Sequence, residues 1–366
     1  MRLGLVVGTR PEIIKMSPLV RECERAAVDY FILHTGQHYS YNLDGVFFQE
    51  LDLPAPNYCL NVGSGSFSQQ LGRMMSGLEE ALQPERPDYV LAEGDTNTVL
   101  AAALVASHLQ IPFVHVEAGL RSYNRQMQEE KNRIIADRVA DLLFPPTEVS
   151  RDILLREGHD PARVFVTGNT IADAVAHYLP IARQQGSIES FGLRPGEYFL
   201  ATLHRAENVD CAAVLRQIID HLASASQAHH RPIIFPVHPR TRARMESFGI
   251  TPPQHIRLIE PVGFYDFLLL ESNAALVLTD SGGVQEECCI LRVPCVTLRD
   301  DTERPETVQV GSNVLCGRVP VDLTATISHM LARRRDWSNP FGEGDAAHRM
   351  IEILRQTRQN QLLRVH

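Results

Sequence analysis

The chain has 366 residues, and at about 150 residues per domain this length favours two domains. Its 44% hydrophobic and 22% charged residues exclude a disordered or collagen-like chain. Lys and Arg number 35 against 44 for Asp and Glu, so the net charge of −9 excludes a general basic surface for nucleic acid or an anionic membrane, and local groups must bind any anionic ligand.

The start of the chain and its cysteines bear on where the protein works. The first residues, MRLGLVVGTRPE, form a strand-like run without a hydrophobic leader, and no apolar run reaches the roughly 20 residues of a membrane span. We therefore expect a cytoplasmic protein. Seven cysteines without CxxC spacing predict reduced structural thiols and no metal site. They are Cys23, Cys59, Cys211, Cys288, Cys289, Cys295 and Cys316.

Short β-branched runs alternate with amphipathic segments in the first half of the chain. Strands are predicted at residues 3–7, 30–34, 89–93 and 112–117, and helices at 71–82 and 100–109. This alternation is typical of βαβ units, so we expect a parallel sheet with helices on both faces.

The same alternation restarts in the second half. Strands are predicted at residues 198–203, 232–237, 256–259, 275–279 and 294–297. Between the halves, residues 183–197 contain three glycines, two serines and a proline, a pattern typical of a linker. The prediction is an α/β protein with two doubly wound Rossmann-like domains, residues 1–182 and 198–345, facing across a cleft. A helix at 346–366 follows, and the sequence does not assign it to either domain.

Ligands of open α/β sheets bind at the carboxyl ends of the strands, so the loops there carry the chemistry. The first such loop is GTRPEIIK, in which Gly8 permits a tight turn and Pro11 suits the first position of a helix. Arg10 would stand where a helix N-terminus already favours anions. The alternative is that Arg10 only pairs with Glu12.

Two further strands end in acidic loops, EGDTNT and HVEAGLRS. Asp95 and Glu117 would lie in adjacent loops, where burial can tune carboxyl groups for proton transfer. The alternative for Asp95 is an N-cap of the helix that begins at Thr96.

The segment MQEEKNRIIADR predicts a helix. Glu129, Arg133 and Asp137 are four residues apart, so they share a face and would form a solvent-exposed ladder of ion pairs. This interpretation suffices for Asp137 but less well for Glu129, which begins the helix after a loop containing Gly119.

In the second half, TLHRAEN follows a strand and places His204 at its end. Histidine changes charge nearest neutral pH, so His204 is a candidate acid, base or phosphate donor. A single histidine is also compatible with a structural role, but His204 lies among Arg205, Glu207 and Asn208 at a strand end, which favours function.

The loop TDSGGVQEE is the most informative. Ser281 is a natural N-cap, and Gly282 and Gly283 let backbone N–H groups approach a diphosphate at the positive end of a helix. A carboxylate one turn further on, Glu286 or Glu287, suits the two hydroxyls of a ribose. This loop therefore predicts a nucleoside diphosphate site, to which RDDTERPE adds Arg304.

Together these loops resemble the non-hydrolysing UDP-N-acetylglucosamine 2-epimerase family, in its archaeal-type branch. The motifs GTRPEIIKMSPLV, GDTNT, HVEAGLRS, EEKNR, GNT, HRAEN, TDSGGVQEE and DDTERPE occur in the family's order over nearly the whole chain. The resemblance implies a GT-B architecture, a homodimer, no cofactor and inversion of C2 in UDP-GlcNAc to give UDP-ManNAc. The reaction would pass through elimination of UDP to 2-acetamidoglucal and its re-addition.

By motif, the resemblance also implies the roles of individual residues. It places the acid and base carboxylates at Asp95, Glu117 and Glu129 and the catalytic-region histidine at His204. Uracil is expected near residues 260–264, at Phe264. The implied phosphate and ribose contacts are Arg10, Lys15, Ser281, Gly282, Gly283, Glu287 and Arg304.

The sequence departs from the family's bacterial pattern in places. It has HRAEN where many bacterial members have HRREN, and TGQHYSYNL at residues 35–43 where they have a TAQH pattern. Those regions border a second, activating substrate site in bacterial members, so such activation is in doubt here.

Four other functions remain open. They are a hydrolysing epimerase releasing ManNAc and UDP, an epimerase of a modified UDP sugar such as a 2,3-diacetamido uronic acid, a GT-B glycosyltransferase, and a nucleotide-sugar binding protein. The hydrolysing enzymes usually begin with GTRAEYG, unlike this chain. A glycosyltransferase needs an acceptor site, whereas three carboxylates in one domain favour proton transfer at the donor sugar.

Overall fold

The computed structural model describes residues 1–36 and 47–364, so most of the TGQHYSYNL segment lies outside the described residues. The chain divides into two compact units. The first is Met1–Ala174 together with Phe341–His366, and the second is Val175–Pro340.

Each unit contains one six-stranded parallel sheet. The strands of the first unit are β1 (Arg2–Val7), β2 (Asp29–His34), β3 (Tyr58–Cys59), β4 (Tyr89–Glu93), β5 (Phe113–Val116) and β6 (Leu142–Phe144). Those of the second unit are β7 (Phe199–Thr202), β8 (Ile233–Pro236), β9 (Ile256–Ile259), β10 (Leu276–Thr279), β11 (Cys295–Thr297) and β12 (Asn313–Leu315).

Helices connect these strands in both units. In the first unit they are α1 (Arg10–Arg25), α2 (Phe67–Glu85), α3 (Asn97–His108), α4 (Gln128–Val139) and α5 (Glu148–Arg156), followed by α6 (Thr170–Gln185), which leads into the second unit. The second unit continues with α7 (Ala206–Val209), α8 (Ala212–His229), α9 (Pro239–Ser247), α10 (Phe264–Ser272), α11 (Gly282–Leu291), α12 (Pro305–Gln309) and α13 (Leu323–Ala332), and the chain ends with α14 (Ala346–Arg364). Two short 3-10 helices lie at Pro161–Arg163 and Ile188–Phe191.

Both sheets have the same doubly wound strand order. The first runs β3-β2-β1-β4-β5-β6, and the second runs β12-β11-β10-β7-β8-β9, which is the same order with its own six strands. The order reverses between β1 and β4 in one sheet and between β7 and β10 in the other. We call these two places the first and second switch points, and in open α/β sheets ligands bind at such points.

The predicted α/β fold with two doubly wound sheets is confirmed, and helices cover both faces of each sheet. In the first unit, Val6 and Phe31 pack with Leu78 of α2, whereas Leu5 lies on the other face beside Met16 of α1. Alternate residues of one strand therefore enter two apolar layers, as parallel sheets require. The three strands absent from the sequence prediction, β3, β6 and β12, are two or three residues long and lie at sheet edges.

The division between the units differs from the expected linker at residues 183–197. It falls inside α6, after Ala174. Residues 186–197 belong to the second unit, where Ile188 and Leu193 join the apolar core. No glycine marks this point, and Pro180 lies inside the continuous helix, so composition placed the boundary later, at the glycine-rich segment.

The C-terminal helix α14, left unassigned by the sequence, belongs to the first unit. The Asp173 carboxylate accepts the backbone N–H groups of Ala346 at 3.1 Å and Ala347 at 3.0 Å, which fixes the start of this helix. Further along, Arg355 donates to the Ala26 carbonyl at the end of α1. The first unit is thus completed by chain from both ends of the sequence.

Two further expectations concern cysteines and membrane spans. All seven cysteines are free thiols, as predicted. Cys288, Cys289 and Cys295 of the second unit are buried. Among the residues described, we find no helix with the length and apolar character needed to span a membrane.

Candidate active site

The first switch point is organised around Glu12, near the start of α1. Its carboxylate accepts the backbone N–H groups of Gly8 at 2.6 Å and Thr9 at 2.8 Å, and also the hydroxyl of Thr96. Burial raises the pKa of Glu12 to about 7, and Asp95 contributes to the rise although the three hydrogen bonds oppose it. The N-terminus of α1 therefore already holds an acidic side chain, which disfavours an additional anion there.

Arg10, the predicted phosphate contact of this loop, lies at the first position of α1 and is partly exposed. Its guanidinium stacks on the ring of Phe47, 4.7 Å from the ring centroid.

Lys15, the second predicted phosphate contact of this helix, points into the protein. Its ammonium group contacts the Glu117 carboxylate and lies 3.1 Å from Oε1 of Glu93. Asn169 also donates to Glu117, at 3.1 Å. The positive charge of Lys15 is thus directed at two buried carboxylates and not toward solvent. This placement was not predicted, because the sequence gives no sign that Glu93 is turned inward.

The backbone and electrostatics of this cluster are unusual. Glu117 has a left-handed backbone, with φ of +67°, which is uncommon for a residue with a side chain. Burial and the neighbouring Glu117 carboxylate raise the pKa of Glu93 well above its usual value, although the Lys15 charge opposes this shift. Strained backbone and shifted ionisation of this kind concentrate at functional sites.

Asp95 is held by an arginine instead of capping a helix. Arg133 donates to one oxygen of Asp95 through Nη2 at 2.6 Å and Nε at 3.1 Å, and to Glu130 through Nη1 at 2.6 Å. The N-cap of α3 is Thr96, whose hydroxyl accepts from Thr98 and Val99. The N-cap interpretation of Asp95 is therefore wrong.

The expected ion-pair ladder along α4 is also wrong. Arg133 is 2% exposed and pairs with Asp95 and Glu130, while Asp137 is fully buried. The face of α4 that packs on α3 carries these groups inward, which spacing along one helix cannot reveal. Glu129 is half-buried and makes no hydrogen bond or ion pair with any residue that the structure describes.

The Asp137 side chain belongs to a network that sequence reasoning missed. His115 Nδ1 lies 2.6 Å from Asp137, and its Nε2 lies 2.8 Å from the Gly94 carbonyl, beside Asp95. Arg121 pairs with the other oxygen of Asp137 at 2.7 Å. Burial opposes ionisation, but His115 and Arg121 outweigh it and hold the pKa of Asp137 below its usual value. A histidine inside an apolar strand was the available signal.

The second switch point carries a His–Asp pair. Nδ1 of His204 lies 3.1 Å from Asp280, whose carboxylate also accepts the backbone N–H groups of His204 and Arg205 and the Asn208 amide. Burial opposes ionisation of Asp280, yet His204, Arg205 and Asn208 keep its pKa below the usual value. The side chain of His204 is 42% exposed, so its outer edge is accessible. Asp280, directly before the predicted N-cap, was not singled out from the sequence.

The N-terminus of α11 lies next to this pair. Ser281 occupies the N-cap position as expected, but its side chain forms no cap hydrogen bond. A Cβ on Gly282 would lie 2.5 Å from the Glu303 carboxylate, whereas one on Gly283 would meet no atom within 4 Å. Gly282 thus allows close packing beside the loop, and Gly283 faces open space at the positive end of the helix.

Two of the predicted nucleotide contacts are placed differently from expectation. Arg304 is 4% exposed and pairs with the fully buried Glu286, so its charge is directed into the core. Phe264 is also only 4% exposed, and its ring packs edge-on against Tyr178 with a centroid distance of 5.6 Å. Both residues are buried because partners from other elements cover them, an ion-pair partner for Arg304 and an aromatic ring for Phe264. The local motif does not encode these partners.

Glu287 occupies the second turn of α11 and is 9% exposed. The structure thus separates the two adjacent glutamates of the motif, with Glu286 paired in the core and Glu287 nearer the surface. The sequence alone left both open as the ribose ligand.

Comparison with known proteins identifies the family of this chain. The family model of UDP-N-acetylglucosamine 2-epimerase matches residues 21–355. A UDP-N-acetylglucosamine 2-epimerase of Methanocaldococcus jannaschii is 50% identical over 97% of this chain and 99% of its own. A UDP-2,3-diacetamido-2,3-dideoxy-D-glucuronate 2-epimerase of Pseudomonas aeruginosa is 39% identical over 97% and 99%.

A solved structure extends the likeness to the fold. The M. jannaschii UDP-GlcNAc 2-epimerase in complex with UDP-GlcNAc and UDP superimposes with a TM-score of 0.92, covering 97% of this chain and all of that one. The fold is that of a doubly wound nucleotide-sugar enzyme. The chain belongs to the UDP-N-acetylglucosamine 2-epimerase family, and the prediction of a non-hydrolysing epimerase with archaeal relatives is confirmed.

Proposed function

We propose that this protein reversibly converts UDP-GlcNAc to UDP-ManNAc by inverting C2 of the sugar. The observation that carries the proposal is that one chain has both features: buried carboxylates at the first switch point and an uncapped helix N-terminus at the second. The M. jannaschii relative named UDP-N-acetylglucosamine 2-epimerase, which is 50% identical over nearly the whole chain, supports the proposal.

The chemistry explains why both kinds of group are needed. C2 has no adjacent carbonyl, so a carbanion formed by direct deprotonation would be unstabilised. In the proposed reaction a carboxylate removes the C2 proton while the bond from C1 to the UDP oxygen breaks, giving 2-acetamidoglucal and UDP. UDP then returns to C1, and an acid delivers a proton to the opposite face of C2.

The first unit is proposed to supply the proton transfer. Asp95, Glu117 and Glu129 are the candidate catalytic residues. Arg133 fixes the orientation of Asp95, and Lys15 and Asn169 fix that of Glu117, so these carboxylates are positioned before substrate binds. Glu129 has no such partner among the described residues and is the most free to follow the substrate.

The second unit is proposed to bind the nucleotide. The backbone N–H groups at the start of α11 suit the diphosphate, and Glu287 suits the ribose hydroxyls. His204, held in orientation by Asp280, adds a donor for a phosphate oxygen. Arg10 remains a proposed phosphate contact, whereas Lys15 is reassigned to Glu117, and Arg304 and Phe264 are left out of direct contact.

The test is incubation with UDP-GlcNAc in deuterated water, followed by NMR at C2. We expect deuterium at C2 of both sugar epimers while the nucleotide stays attached. Free ManNAc with UDP would instead indicate a hydrolysing enzyme. Nucleotide-sugar binding without any exchange at C2 would contradict catalysis altogether.

A second candidate substrate comes from the relative of P. aeruginosa, which is named for a 2,3-diacetamido uronic acid. The same C2 chemistry applies to that sugar, because the substituents at C3 and C6 do not take part. Competition between the two UDP sugars for one enzyme sample decides between them. We expect the larger kcat/KM for UDP-GlcNAc, given 50% identity to the relative named for it and 39% to the other.

Three broader assignments rest on the family resemblance. They are a homodimer, a cytoplasmic location and a role in making precursors of surface polysaccharides. Light scattering of the purified chain tests the first, and fractionation of the source cells tests the second.

A further inference from the structure

A second carboxyl group lies behind Glu287. Glu271, near the end of α10, is fully buried, and its carboxyl group is in hydrogen-bonding contact with the Glu287 carboxyl group. No function has been assigned so far to Glu271, and both residues belong to the second unit.

The donors around Glu271 serve only one of its oxygens. The Cys288 thiol donates to Oε1 at 3.2 Å. Oε2 is buried and accepts no hydrogen bond from any described group. The other titratable groups nearby are Cys295 and Tyr198, and the Tyr198 hydroxyl is already bonded to the Leu270 carbonyl. No described cation pairs with Glu271.

Two adjacent buried carboxylates cannot both be ionised at low cost. The more buried group holds the proton more tightly, and Glu271 is 0% exposed against 9% for Glu287. In agreement, burial and the Glu287 charge raise the pKa of Glu271 well above its usual value, although the Cys288 bond opposes this. The oxygen without a donor is the one that gains by carrying a proton.

We infer that Glu271 is a positioning residue for nucleotide binding: it is protonated and donates a hydrogen bond to the Glu287 carboxylate, which stays ionised and oriented for the ribose hydroxyls. This inference rests on the proposed role of Glu287. It adds a residue that acts through Glu287 and does not touch the nucleotide.

The first test measures UDP binding by calorimetry on the full chain. Glu271→Gln retains a donor to Glu287, so its Kd for UDP should stay within about twofold of the wild type. Glu271→Leu has no donor, and its Kd should rise about tenfold. Tyr198→Phe is the matched control, because it removes a buried bond beside Glu271 and leaves the two carboxyl groups in place. Equal UDP affinity of the Gln and Leu variants would overturn the inference.

The second test observes the proton directly. Infrared difference spectra of wild type minus Glu271→Gln at neutral pH should show the C=O stretch of a protonated carboxyl group. If the difference contains only carboxylate bands, Glu271 is ionised and the inference is wrong. This result stands even if the Leu variant does not fold.

Glu287→Gln separates this inference from the proposed function. If that variant binds UDP as tightly as the wild type, the ribose assignment itself fails. If it loses affinity while Glu271→Leu does not, only the role of Glu271 fails.

Discussion

At the first switch point the helix N-terminus is occupied by the protein's own acid, whereas at the second it is left uncapped. The Glu12 carboxylate accepts hydrogen bonds from the N–H groups of Gly8 and Thr9. At the second switch point the Ser281 side chain accepts no cap hydrogen bond, and Gly283 borders open space. The strand order is the same in both sheets, so this difference comes from the residues of the loops and not from the topology.

The comparison teaches how one topology supports two tasks. Charged groups at the first switch point are mostly acidic and buried, which suits proton transfer. At the second, a histidine with a fixed partner stands beside a helix N-terminus that has no side-chain cap, which suits an anion. Four predictions test this division, beginning with the largest effect.

The largest effect is expected from removing the acid and base groups of the first unit. Asp95→Asn, Glu117→Gln and Glu129→Gln should each lose about 10²–10⁴-fold in the rate of C2 exchange, because an amide does not transfer the proton. UDP affinity should change little, since none of these three carboxylates is assigned to the nucleotide. NMR exchange rates and calorimetry measure the two quantities.

Glu129→Gln is the cleanest of the three, because Glu129 has no described ion pair to lose. Asp95→Asn and Glu117→Gln also weaken pairs with Arg133 and Lys15, so their unfolding must be measured in parallel. Full activity of one variant would remove that residue from the mechanism. Full activity of all three would contradict the assignment of proton transfer to the first unit.

Glu12→Gln should change how stability depends on pH. The pKa of Glu12 is about 7 in the folded protein and close to 4.5 when unfolded, so the folded state binds this proton more tightly. The contribution of the proton is complete below the unfolded pKa and is lost as pH rises through 7, by about 3 kcal/mol. The Gln variant should lack this loss of unfolding free energy.

Asp137→Asn is the control with the opposite sign. His115 and Arg121 lower the pKa of Asp137 against its burial, so the wild type loses that stability as pH falls. Denaturant unfolding at several pH values measures both. Parallel curves for wild type and Glu12→Gln would show that Glu12 does not hold an unusual charge state.

Placing a carboxylate at the second switch point should make it resemble the first. Gly283→Asp puts negative charge at the uncapped start of α11, and UDP affinity should fall by about 1–2 kcal/mol. Gly283→Ala meets no atom within 4 Å and serves as the neutral control. Calorimetry that finds both variants equal to the wild type would place the diphosphate elsewhere.

The smallest effect is expected from chelation. The helix N-terminus, His204 and Arg10 are assigned to the diphosphate charge, so turnover in EDTA should match that in buffer alone. A loss of turnover that magnesium restores would show that these groups do not suffice.

The sequence by itself determined nine of the twelve described strands, the order of the motifs and the family. The predicted strands at residues 89–93 and 256–259 match β4 and β9 residue for residue. For β4 the reason is that a buried parallel strand has a local apolar signature. The loops after those strands could be located for the same reason. Asp95, Glu117, His204 and the glycines of α11 were found in this way.

Only the tertiary structure decided which charge meets which. Lys15 pairs with Glu117, 102 residues away, and Arg133 with Asp95, 38 residues away. Arg304 and Phe264 were covered by partners from other elements, and Asp280 and Asp137 became important through His204 and His115. Local sequence records the period of a strand or helix, but the partner of a buried charge depends on which distant segments pack beside it, where the low dielectric makes that choice strong.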